Sequence, residues 1–433
     1  MPLAPDDCIL ILRVLLLSLV VGVWLSRRAS TGIASFFTAN RSLPWWLLGT
    51  SMAATTFAAD TPLAVTELVR KQGIAGNWLW WNMAIGHVLL AVLFARLWRR
   101  SEVLTDAEFI ETRYQGRPAQ VLRTVKALYL AVVLNALTMG WVMFAMASLL
   151  KVFFPVSAWV PEELASWMQG VWPGWMAVGW EEGIFIFVLA LIAYIYSALS
   201  GMWGVVITDF IQFIIAIVGA FALALIAAFS PSGRAAFSHM VTHQPAHLDV
   251  FPGLSGTALL PLHLLLAYLG MQWWAHKYAD GGGYIVQRLA SARTDADASR
   301  ATWLFVVLHY IVRPWPWIVV ALISIPLFPD LTRHQEAYPL MMRTYLPAGM
   351  LGLLIASFLA AFMSTIDTHI HWGSSYLVQD LYRRYWPKHA TQKRSLVVAR
   401  AGGGVLLLLG MLTATLLTSI TMAWKLLFLL GAG

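Results

Sequence analysis

The chain has 433 residues, of which 59% are hydrophobic and 12% are charged, and its formal net charge is +8. A soluble protein of this length could not bury that much apolar surface, so the composition indicates a polytopic membrane protein. The single cysteine, Cys8, excludes a disulfide framework or a thiolate metal site within one chain. The excess of Lys and Arg is typical of cytoplasmic loops and argues against nucleic acid as a partner.

Apolar runs of about 20 residues, the length that crosses a bilayer as a helix, follow one another along the chain. They predict ten spans, at residues 8–25, 44–69, 77–98, 121–153, 183–199, 202–229, 257–279, 301–328, 346–377 and 396–419. An eleventh begins near Met422 and is still running at Gly433, so we expect the chain to be truncated at its C terminus. Two acids precede the first span and two arginines follow it, which predicts an outside N terminus and no cleaved signal peptide.

The loops between these spans differ in charge. Those predicted to be cytoplasmic hold basic residues in an excess of roughly three to one over the opposite loops. The opposite loops carry the acids Glu162, Glu163, Glu181 and Glu182. This bias predicts a multi-pass protein of the cell membrane, inner or plasma, embedded in the lipid bilayer with its N terminus outside.

Two segments outside the spans have a readable pattern. Thr105 and Glu108 are spaced as a capping box and predict a short cytoplasmic helix from Asp106 to about Tyr114. Residues 156–180 carry five tryptophans between acids and prolines, which predicts an outer segment with its indoles at headgroup level. A carbohydrate-stacking platform is the alternative interpretation of these tryptophans.

The spans after the first fall into two sets of five with matching features. The first member of each set is interrupted, at Asp60-Thr61-Pro62 in one and at Gly270, Gln272, His276, Lys277 and the glycines 281–283 in the other. The third member is the longest in each set, and the last two form tight hairpins around Ser200-Gly201 and Ser419–Thr421. Because five is odd, the second copy must insert upside down, and inverted repeats with matching broken helices indicate a secondary transporter. We therefore expect one transporter domain, 1–433, with repeats at 44–229 and 257–433, the last helix being incomplete.

Polar residues inside spans mark candidate functional positions, because such groups need a partner in the protein or in a wet cavity. Ser364 and Thr365 place two hydroxyls side by side, with the carbonyl of Ala361 one turn earlier. An all-oxygen cluster of this kind suits an alkali cation better than a soft metal. The break within Ala53–Pro62 is the candidate source of further oxygens, because its proline frees the carbonyl near Ala58. An ordinary proline kink in a small-residue packing face is the alternative there.

The carboxylates Asp60, Asp209 and Asp367 and the arginine Arg313 are candidate functional groups within the spans. Asp60 stands at the first break, where it could contact a cation or a substrate. Asp209 fits either an inward cation exit path or a helix N-cap, and Asp367 fits either the same path or a structural pair. Arg313, among prolines and tryptophans, is expected to find a cation–π or aspartate partner rather than a substrate.

Near the second break, Gln272, Trp273 and Trp274 combine an amide with aromatic faces and are predicted to form a substrate wall. His369 and His371 are two residues apart on a helix and face different directions, so they do not predict a zinc site. Because no nucleophile–base pair or set of metal ligands stands at credible spacing, the sequence does not favour an enzyme.

Several ordered motifs make the chain similar to the solute:sodium symporter family, which includes bacterial proline and sugar symporters. The similarity runs from about Asp7 to the end of the chain. It rests on Ala39–Trp46, Thr105 with Glu108-Phe-Ile, Arg113-Tyr, Gly201–Gly204, Thr208-Asp209 with Gln212, Gln287-Arg288, Ser364-Thr365 and Asp380-Leu-Tyr382. The resemblance implies a five-plus-five inverted repeat with an extra N-terminal helix and discontinuous first and sixth core helices.

The resemblance also implies one sodium ion between the first broken helix and the third helix of the second repeat. Its ligands would be the carbonyls of Ala53, Thr56 and Ala361 and the hydroxyls of Ser364 and Thr365. Asp209 matches the family's aspartate near the inward sodium exit. Thr55 departs from the family pattern, since proline symporters carry aspartate there and sugar symporters asparagine, so the resemblance does not identify the solute.

We therefore predict a sodium-coupled symporter that imports a small organic solute by alternating access. Sodium would stabilise the outward-open state, and the solute would then bind near Asp60, Gln272, Trp273 and Trp274. Two alternatives stay open. One is a proton-coupled transporter of the same fold with Asp60 or Asp367 as the carrier, and the other is a transporter-like sensor domain followed by signalling modules.

Overall fold

The computed structural model describes residues 3–29, 33–199, 202–252, 259–275 and 281–431. These residues are mostly helical, and the one β-type pairing among them is the bridge between Leu43 and Ala292. The principal helices are α1 (Pro5–Ala29), α2 (Trp45–Thr55), α3 (Asp60–Gln72), α4 (Ala84–Ser101), α5 (Phe109–Arg113), α6 (Gly116–Ala158), α7 (Glu162–Val171), α8 (Trp180–Leu199), α9 (Met202–Phe229), α10 (Pro231–His243), α11 (Leu262–Gln272), α12 (Tyr284–Ala290), α13 (Asp295–Leu327), α14 (Ala337–Tyr345), α15 (Met350–Tyr385), α16 (Gln392–Leu416) and α17 (Ile420–Gly431). The predicted all-α fold is confirmed.

Five helices of the described chain are each long and apolar enough to cross a membrane: α6, α9, α13, α15 and α16. A sixth candidate is the segment Ile74–Trp81 together with α4, which meet at a bend of 45°. The other predicted spans coincide with α1, α8, α11 and α17 and with the pair α2 and α3. The predicted hairpin at Ser200-Gly201, and the interrupting residues His276 and Lys277, lie outside the described residues.

The second predicted span consists of two half-helices, α2 and α3, separated by residues 56–59. The sequence places the break at residues 60–62, and this position is wrong by one turn because α3 already begins at Asp60. Pro62 lies in the first turn of α3, where a missing N–H leaves no helical hydrogen bond unmade. Carbonyls in the last turn of α2 therefore lack regular helical partners, and so does the carbonyl of Ala58, because Pro62 four residues later has no N–H.

The seventh predicted span is described in part, from residue 259 to residue 275. α11 continues into the turn Trp273–Ala275, and the described chain resumes at Gly281. Gly281 and Gly283 have φ angles of 90° and 72°, which a residue with a side chain rarely adopts. These glycines allow the short helix α12 to begin directly after them. The apolar pattern ends the predicted span at residue 279 and does not predict α12.

α15 is the central helix of the protein. Almost every residue from its start to Tyr376 is buried, and it packs against α1, α6, α8, α9 and α16. One of its closest approaches involves Gly373, where an added Cβ would lie 2.5 Å from both Asn135 Nδ2 and Leu406 Cδ1. Small residues of this kind let helices in a membrane approach closely. The Ser364–Thr365 pair therefore lies deep in the bundle.

The N-terminal end of α15 is capped by the first helix of the chain. Asp7, in the first turn of α1, accepts hydrogen bonds from the backbone N–H groups of Gly349 at 2.7 Å and Gly352 at 2.8 Å. A carboxylate is favourable there, because the first N–H groups of a helix lack partners and carry the positive end of its dipole. α1 and α15 thus begin on the same side of the protein, in agreement with the predicted topology of the first and ninth spans.

Five helices contain a π-helical stretch within the described chain, at Leu90–Phe94, Tyr129–Leu134, Tyr268–Gln272, Val307–Val312 and Leu377–Tyr382. Each is a wide turn with an extra residue, and such turns are frequent at functional sites. The wide turn of α13 immediately precedes Arg313. The N–H of Arg313 donates to the carbonyl of Leu308, five residues back, at 3.2 Å.

The two segments predicted outside the spans are present. Thr105 Oγ1 accepts from the N–H of Glu108 at 3.2 Å, as the capping box predicts, whereas Glu108 Oε2 accepts from the N–H of Leu104 at 3.0 Å. The helix that follows is α5, which is shorter than predicted. In the tryptophan-rich segment around α7, Trp159 and Trp167 are at least 60% exposed, which suits an interfacial position.

Candidate functional site

A cavity of about 140 Å³ lies at the break between α2 and α3. Its walls also include residues of α4, α6, α12, α13, α15 and α17. Aromatic side chains form much of the wall, namely Trp80, Trp141, Tyr284, Phe305, Tyr310 and Trp424. Charged and titratable side chains also line the cavity, namely those of Asp60, His87, His309, His369 and Arg313. A mostly apolar, concave site with a few polar groups is the usual form of a small-molecule site.

Arg313 brings a buried guanidinium to this cavity from α13. Its Nη1 donates to the carbonyl of Ala53 at 2.8 Å, and its Nη2 donates to the carbonyl of Thr56 at 2.6 Å. The guanidinium carbon also lies 5.4 Å from the ring centroid of Trp317 and 5.9 Å from that of Phe57. The expected cation–π partner is therefore confirmed. The sequence did not predict that the carbonyl end of α2 would be its hydrogen-bond partner.

Asp60 lies in the first turn of α3, where the helix dipole favours an anion. Its Oδ2 accepts from Trp141 Nε1 at 3.1 Å, and its Oδ1 accepts from Thr61 Oγ1 at 3.4 Å. Both donors are neutral, and no Lys or Arg nitrogen of the described chain lies within 4.0 Å of its carboxylate. Asp60 is thus a buried carboxylate that lines the cavity without an ion pair.

Asp209 lies at a second polar cluster, where α2, α9, α12 and α15 meet. It accepts from Ser51 Oγ of α2 at 2.5 Å and, in a short contact, from Ser364 Oγ of α15. Its other neighbour is Arg288 of α12, with 3.7 Å between Nη2 and Oδ2. Because these partners come from other helices, the geometry does not support the role of N-cap for α9 that the sequence left open.

Arg288 ties the same four helices together. Its Nε donates to Ser51 Oγ at 3.1 Å, and its Nη2 donates to Thr55 Oγ1 at 2.9 Å and to Thr368 Oγ1 at 2.7 Å. From the sequence, Arg288 is predicted only as part of a motif, and Ser51 is not predicted at all. The available signal was the spacing of Ser51 and Thr55, which are four residues apart and therefore share one face of an otherwise apolar helix.

Thr365 joins the two halves of the predicted sodium site. Its Oγ1 donates to the carbonyl of Ala361 at 3.0 Å, within α15, and to the carbonyl of Thr55 at 3.1 Å, in the last turn of α2. The structure thus brings α15 and the end of α2 into contact through Thr365, a predicted ligand, and Thr55, the neighbour of the predicted ligand Thr56. Of the five predicted ligands, Ala53 lies in α2, Thr56 lies in the break, and the other three lie in α15. The oxygens of all five take part in hydrogen bonds within the protein.

Gln272, Trp273 and Trp274 do not line the cavity. Trp274 is 57% exposed, and the turn that begins at Trp273 packs against Ala84–Leu89 of α4. Of the four predicted substrate residues, only Asp60 therefore lines this cavity. The aromatic wall is supplied by tryptophans, tyrosines and a phenylalanine of other segments. With 22 tryptophans in the chain, the sequence offered no way to select them.

The two histidines of α15 point to different surroundings, as their spacing predicts. His369 lines the cavity, and its Nδ1 lies 2.6 Å from Asn135 Oδ1. His371 Nε2 lies 3.3 Å from Asp367 Oδ1, which gives Asp367 the structural pair that the sequence considered. No group of three His, Cys, Asp or Glu able to hold a metal ion occurs in the part of the chain that the structure describes.

An ion-pair network lies at the end of the bundle that is predicted to be cytoplasmic. Asp380 accepts from Arg123 Nε at 2.6 Å and from Thr105 Oγ1 at 2.8 Å, which connects two of the motifs noted in the sequence. Glu111 of α5 pairs with Arg123 at 2.7 Å and also with Arg384. Partial burial alone would raise the pKa of Glu111, but the two arginines outweigh it and hold this pKa below its ordinary value.

The sequence profile of the sodium:solute symporter family matches residues 36–160 and 175–430. The chain belongs to this family. A sodium/glucose cotransporter of Vibrio parahaemolyticus is 24% identical over 434 residues, covering 94% of this chain and 74% of its own length. Sodium/glucose cotransporter 4 of Danio rerio is 25% identical over 421 residues, covering 88% of this chain and 58% of its own length. The chain thus spans little more than half of some relatives.

Solved structures with low sequence identity to this chain have a similar fold. The structure of a substrate-bound, outward-open Na⁺-coupled sialic acid symporter aligns with a TM-score of 0.72 at 19% identity, covering 95% of this chain and 80% of that one. MhsT in complex with L-phenylalanine aligns with a TM-score of 0.58 at 13% identity, covering 90% and 85%. Family membership makes this chain a membrane transport protein rather than an enzyme, with sodium as the co-transported ion.

Proposed function

We propose that the chain imports a small organic solute together with sodium across the cell membrane by alternating access, with its N terminus outside. The observation that supports this best is the 3.1 Å hydrogen bond from Thr365 Oγ1 to the carbonyl of Thr55. It joins the hydroxyl-bearing stretch of α15 to the carbonyl end of a broken helix. A sodium ion at this junction would take oxygen ligands from both α15 and α2. The relative position of these two helices would therefore depend on whether sodium is bound.

The proposed sodium ligands are the carbonyl oxygens of Ala53, Thr56 and Ala361 and the hydroxyl oxygens of Ser364 and Thr365. The last turn of α2 offers carbonyls without helical partners and the negative end of its dipole, both of which attract a cation. Each hydroxyl has lone pairs that can face a cation while its proton is donated elsewhere. The hydrogen bonds of Ser364 to Asp209 and of Thr365 to Thr55 would therefore be compatible with coordination.

The solute is proposed to bind in the cavity at the break, with Asp60 as one polar contact. A role for Gln272, Trp273 and Trp274 would require α11 to approach the cavity in another state of the transport cycle. Such rearrangement is expected in alternating access, where one group of helices rocks against another around the binding site. These three residues are therefore proposed contacts of a different conformation.

Asp209 and Asp367 are the proposed acidic groups of the cation exit path. Asp209 is hydrogen-bonded to Ser364, a proposed sodium ligand, so a cation leaving that ligand would meet the carboxylate next. Asp367 is three residues further along α15, and its partner is His371. Buried carboxylates in a membrane protein are costly and are retained mainly along ion pathways.

The test is the thermal stability of the detergent-purified protein in sodium and in potassium at equal ionic strength. Sodium that binds only the folded protein should raise the melting temperature, with about 2.7 kcal/mol of stabilisation at a concentration 100 times the Kd. The double variant Ser364→Ala/Thr365→Ala removes two proposed ligands and should lose the sodium-specific part.

Ser374→Ala/Ser375→Ala is the matched control, because these are two adjacent buried serines of the same helix that donate to backbone carbonyls away from the cavity. It should keep the sodium response. A sodium response that persists in the Ser364/Thr365 variant would contradict the ligand assignment. No sodium response in the unmodified protein, together with uptake driven by a pH gradient, would instead support proton coupling through Asp60 or Asp367.

A further inference from the structure

The guanidinium of Arg313 and the proposed sodium ion share two ligands. Nη1 and Nη2 donate to the carbonyls of Ala53 and Thr56, at 2.8 Å and 2.6 Å, and these are two of the five oxygens in the sodium assignment. Nη1 also donates to Thr56 Oγ1 at 3.0 Å. A side-chain cation thus already holds the carbonyl end of α2. We call these two carbonyl oxygens the α2 carbonyl pair.

Arg313 is incompletely neutralised in this position. It is fully buried, and no carboxylate oxygen in the described ranges lies within 4.0 Å of its guanidinium. Its Nε has no hydrogen-bond acceptor among the described residues. A buried charge requires a counter-charge and a complete set of hydrogen bonds. Two neutral carbonyls, the aromatic faces and the attraction of Asp60 from beyond 4.0 Å supply only part of this. The guanidinium therefore has the capacity to bind an anion in the cavity that it lines.

Sodium and the guanidinium cannot both hold the α2 carbonyl pair at full strength. Two cations on the same two oxygens would repel each other at close range inside a low-dielectric interior. The guanidinium is on a flexible side chain beside a cavity, whereas the carbonyls are fixed by the helix. The group that gives way is therefore the guanidinium.

We propose that sodium displaces the Arg313 guanidinium from the α2 carbonyl pair, and that the released guanidinium binds the carboxylate of a small monocarboxylate substrate in the cavity. This inference rests on the proposed function, because it assumes sodium at those carbonyls. It adds a substrate class and a coupling mechanism. A planar guanidinium is suited to a carboxylate because it can donate two parallel hydrogen bonds to the two oxygens.

The charges at the site favour a monoanion over a zwitterion. Sodium and Arg313 contribute two positive charges, and Asp60 contributes one negative charge, so the loaded site has a net charge of +1 before the substrate enters. A monocarboxylate brings this sum to zero, whereas a zwitterionic amino acid leaves it unchanged. The aromatic wall, with Trp80 and Tyr310 stacked at 5.7 Å between ring centroids, suits an apolar body attached to the carboxylate.

The mechanism makes the two ligands cooperative. Without sodium, the guanidinium is held by carbonyls and is a poor partner for a carboxylate. With a carboxylate bound, the guanidinium is held away from the carbonyls, and sodium binds them without competition. Each ligand therefore raises the affinity for the other by the same factor, as linkage requires.

The first experiment measures sodium affinity by titrating the melting temperature with sodium, at constant ionic strength, in the unmodified protein and in Arg313→Gln. Removing the competing cation should tighten sodium binding about fivefold or more, within the range of known couplings between sites. Arg313→Lys, which keeps a charge but not the two-pronged donor, should tighten it less and serves if Arg313→Gln does not fold. Arg70→Gln is the matched control, since Arg70 also donates to two backbone carbonyls, of Ser324 and Phe328, each at 2.6 Å. It should leave sodium affinity unchanged.

The outcomes separate this inference from the proposed function. Equal or weaker sodium binding in Arg313→Gln, with a clear sodium response in the unmodified protein, overturns the competition and leaves the sodium site intact. No response to sodium in either protein overturns both. A response that is present only in Arg313→Gln supports the competition.

The second experiment repeats the sodium titration with benzoate and butyrate, with their neutral amides benzamide and butyramide, and with L-phenylalanine. Carboxylates should tighten sodium binding in the unmodified protein, amides should not, and the effect should disappear in Arg313→Gln. An equal effect of the amides, or no effect of any carboxylate, overturns the carboxylate assignment. An effect of L-phenylalanine alone overturns the monoanion in favour of a zwitterion.

Discussion

Arg288 and Asp209 form an ion pair in the interior of the protein, with 3.7 Å between Nη2 and Oδ2. The pair joins α12 to α9, and shared hydrogen bonds to Ser51 extend it to α2, the first half of the interrupted second span. α12 and the last turns of α2 are therefore connected through a buried ion pair. This connection lies directly beside Ser364, a proposed sodium ligand.

Breaking this pair from one side should be more costly than removing both charges. Arg288→Met leaves Asp209 buried without its cation and should lower the free energy of unfolding by about 3–5 kcal/mol. Arg288→Met/Asp209→Asn removes both charges while the amide oxygen still accepts from a serine, and it should recover much of that loss. Denaturant or thermal unfolding of the two single variants and the double variant measures the coupling. A loss in the double variant equal to the sum of the single losses would contradict the pair.

Trp141 stabilises the cavity carboxylate through one hydrogen bond. Trp141→Phe keeps an aromatic ring but removes the Nε1 donor that lies 3.1 Å from Asp60 Oδ2. Because the acceptor is charged and buried, we expect a loss of about 1.5–3 kcal/mol in unfolding free energy. Trp172→Phe is the control, since its Nε1 donates to the neutral carbonyl of Val178 at 2.8 Å, and it should lose about 0.5–1.5 kcal/mol. Equal losses would show that the charge of Asp60 adds nothing.

The crossing of α15 with α6 and α16 depends on a residue without a side chain. Gly373→Ala would place a Cβ 2.5 Å from Asn135 Nδ2 and Leu406 Cδ1, so neighbouring groups must shift. Overpacking of this kind should destabilise the protein by about 1–3 kcal/mol. The same change at Gly170 of α7, where an added Cβ meets nothing within 4 Å, should be neutral or slightly stabilising. Comparison of the two melting temperatures checks the close approach.

The Glu111 network should make part of the stability sensitive to acid. Its arginine partners hold the pKa of Glu111 below the ordinary value of 4.5, so its contribution is fully present above that pH. The contribution is lost as the pH falls through the lowered pKa of the folded protein. The melting-temperature difference between the unmodified protein and Glu111→Gln should therefore be constant at higher pH and shrink below about 4.5. Glu162→Gln, at an exposed glutamate without an ion pair in the described chain, should show no such trend.

The sequence could locate the spans because bilayer thickness sets the length of an apolar run, and that constraint is local. It misplaced the first break by one turn because Pro62 is as acceptable in the first turn of a new helix as at a kink. It missed α12 because seven residues after a glycine cluster have no apolar length of their own. Both errors, in the position of the first break and in the missing α12, arise because the local sequence pattern is ambiguous or too short.

The candidate site was predictable where the signal was a cluster of residues adjacent in sequence. Ser364 and Thr365 could be selected from one segment, and in the structure Thr365 contacts α2 and Ser364 contacts Asp209 of α9. Ser51, Asp209 and Arg288 could not be connected, because their pairing spans up to 237 residues and depends on how four helices pack. The hydrogen bond from Arg313 to the end of α2 was hidden for the same reason. Long-range partners follow from packing, which one sequence does not report.

The wide turn at Val307–Val312 decides which way Arg313 points. A regular helix advances by about 100° per residue, so one extra residue in a turn rotates everything after it by about that angle. Deleting a single residue from this turn would swing the guanidinium out of the interior and turn the aromatic and apolar faces of the rest of α13 with it. The extra residue thus sets the rotation of α13 after the turn, and the direction of the Arg313 side chain depends on the number of residues in that one turn.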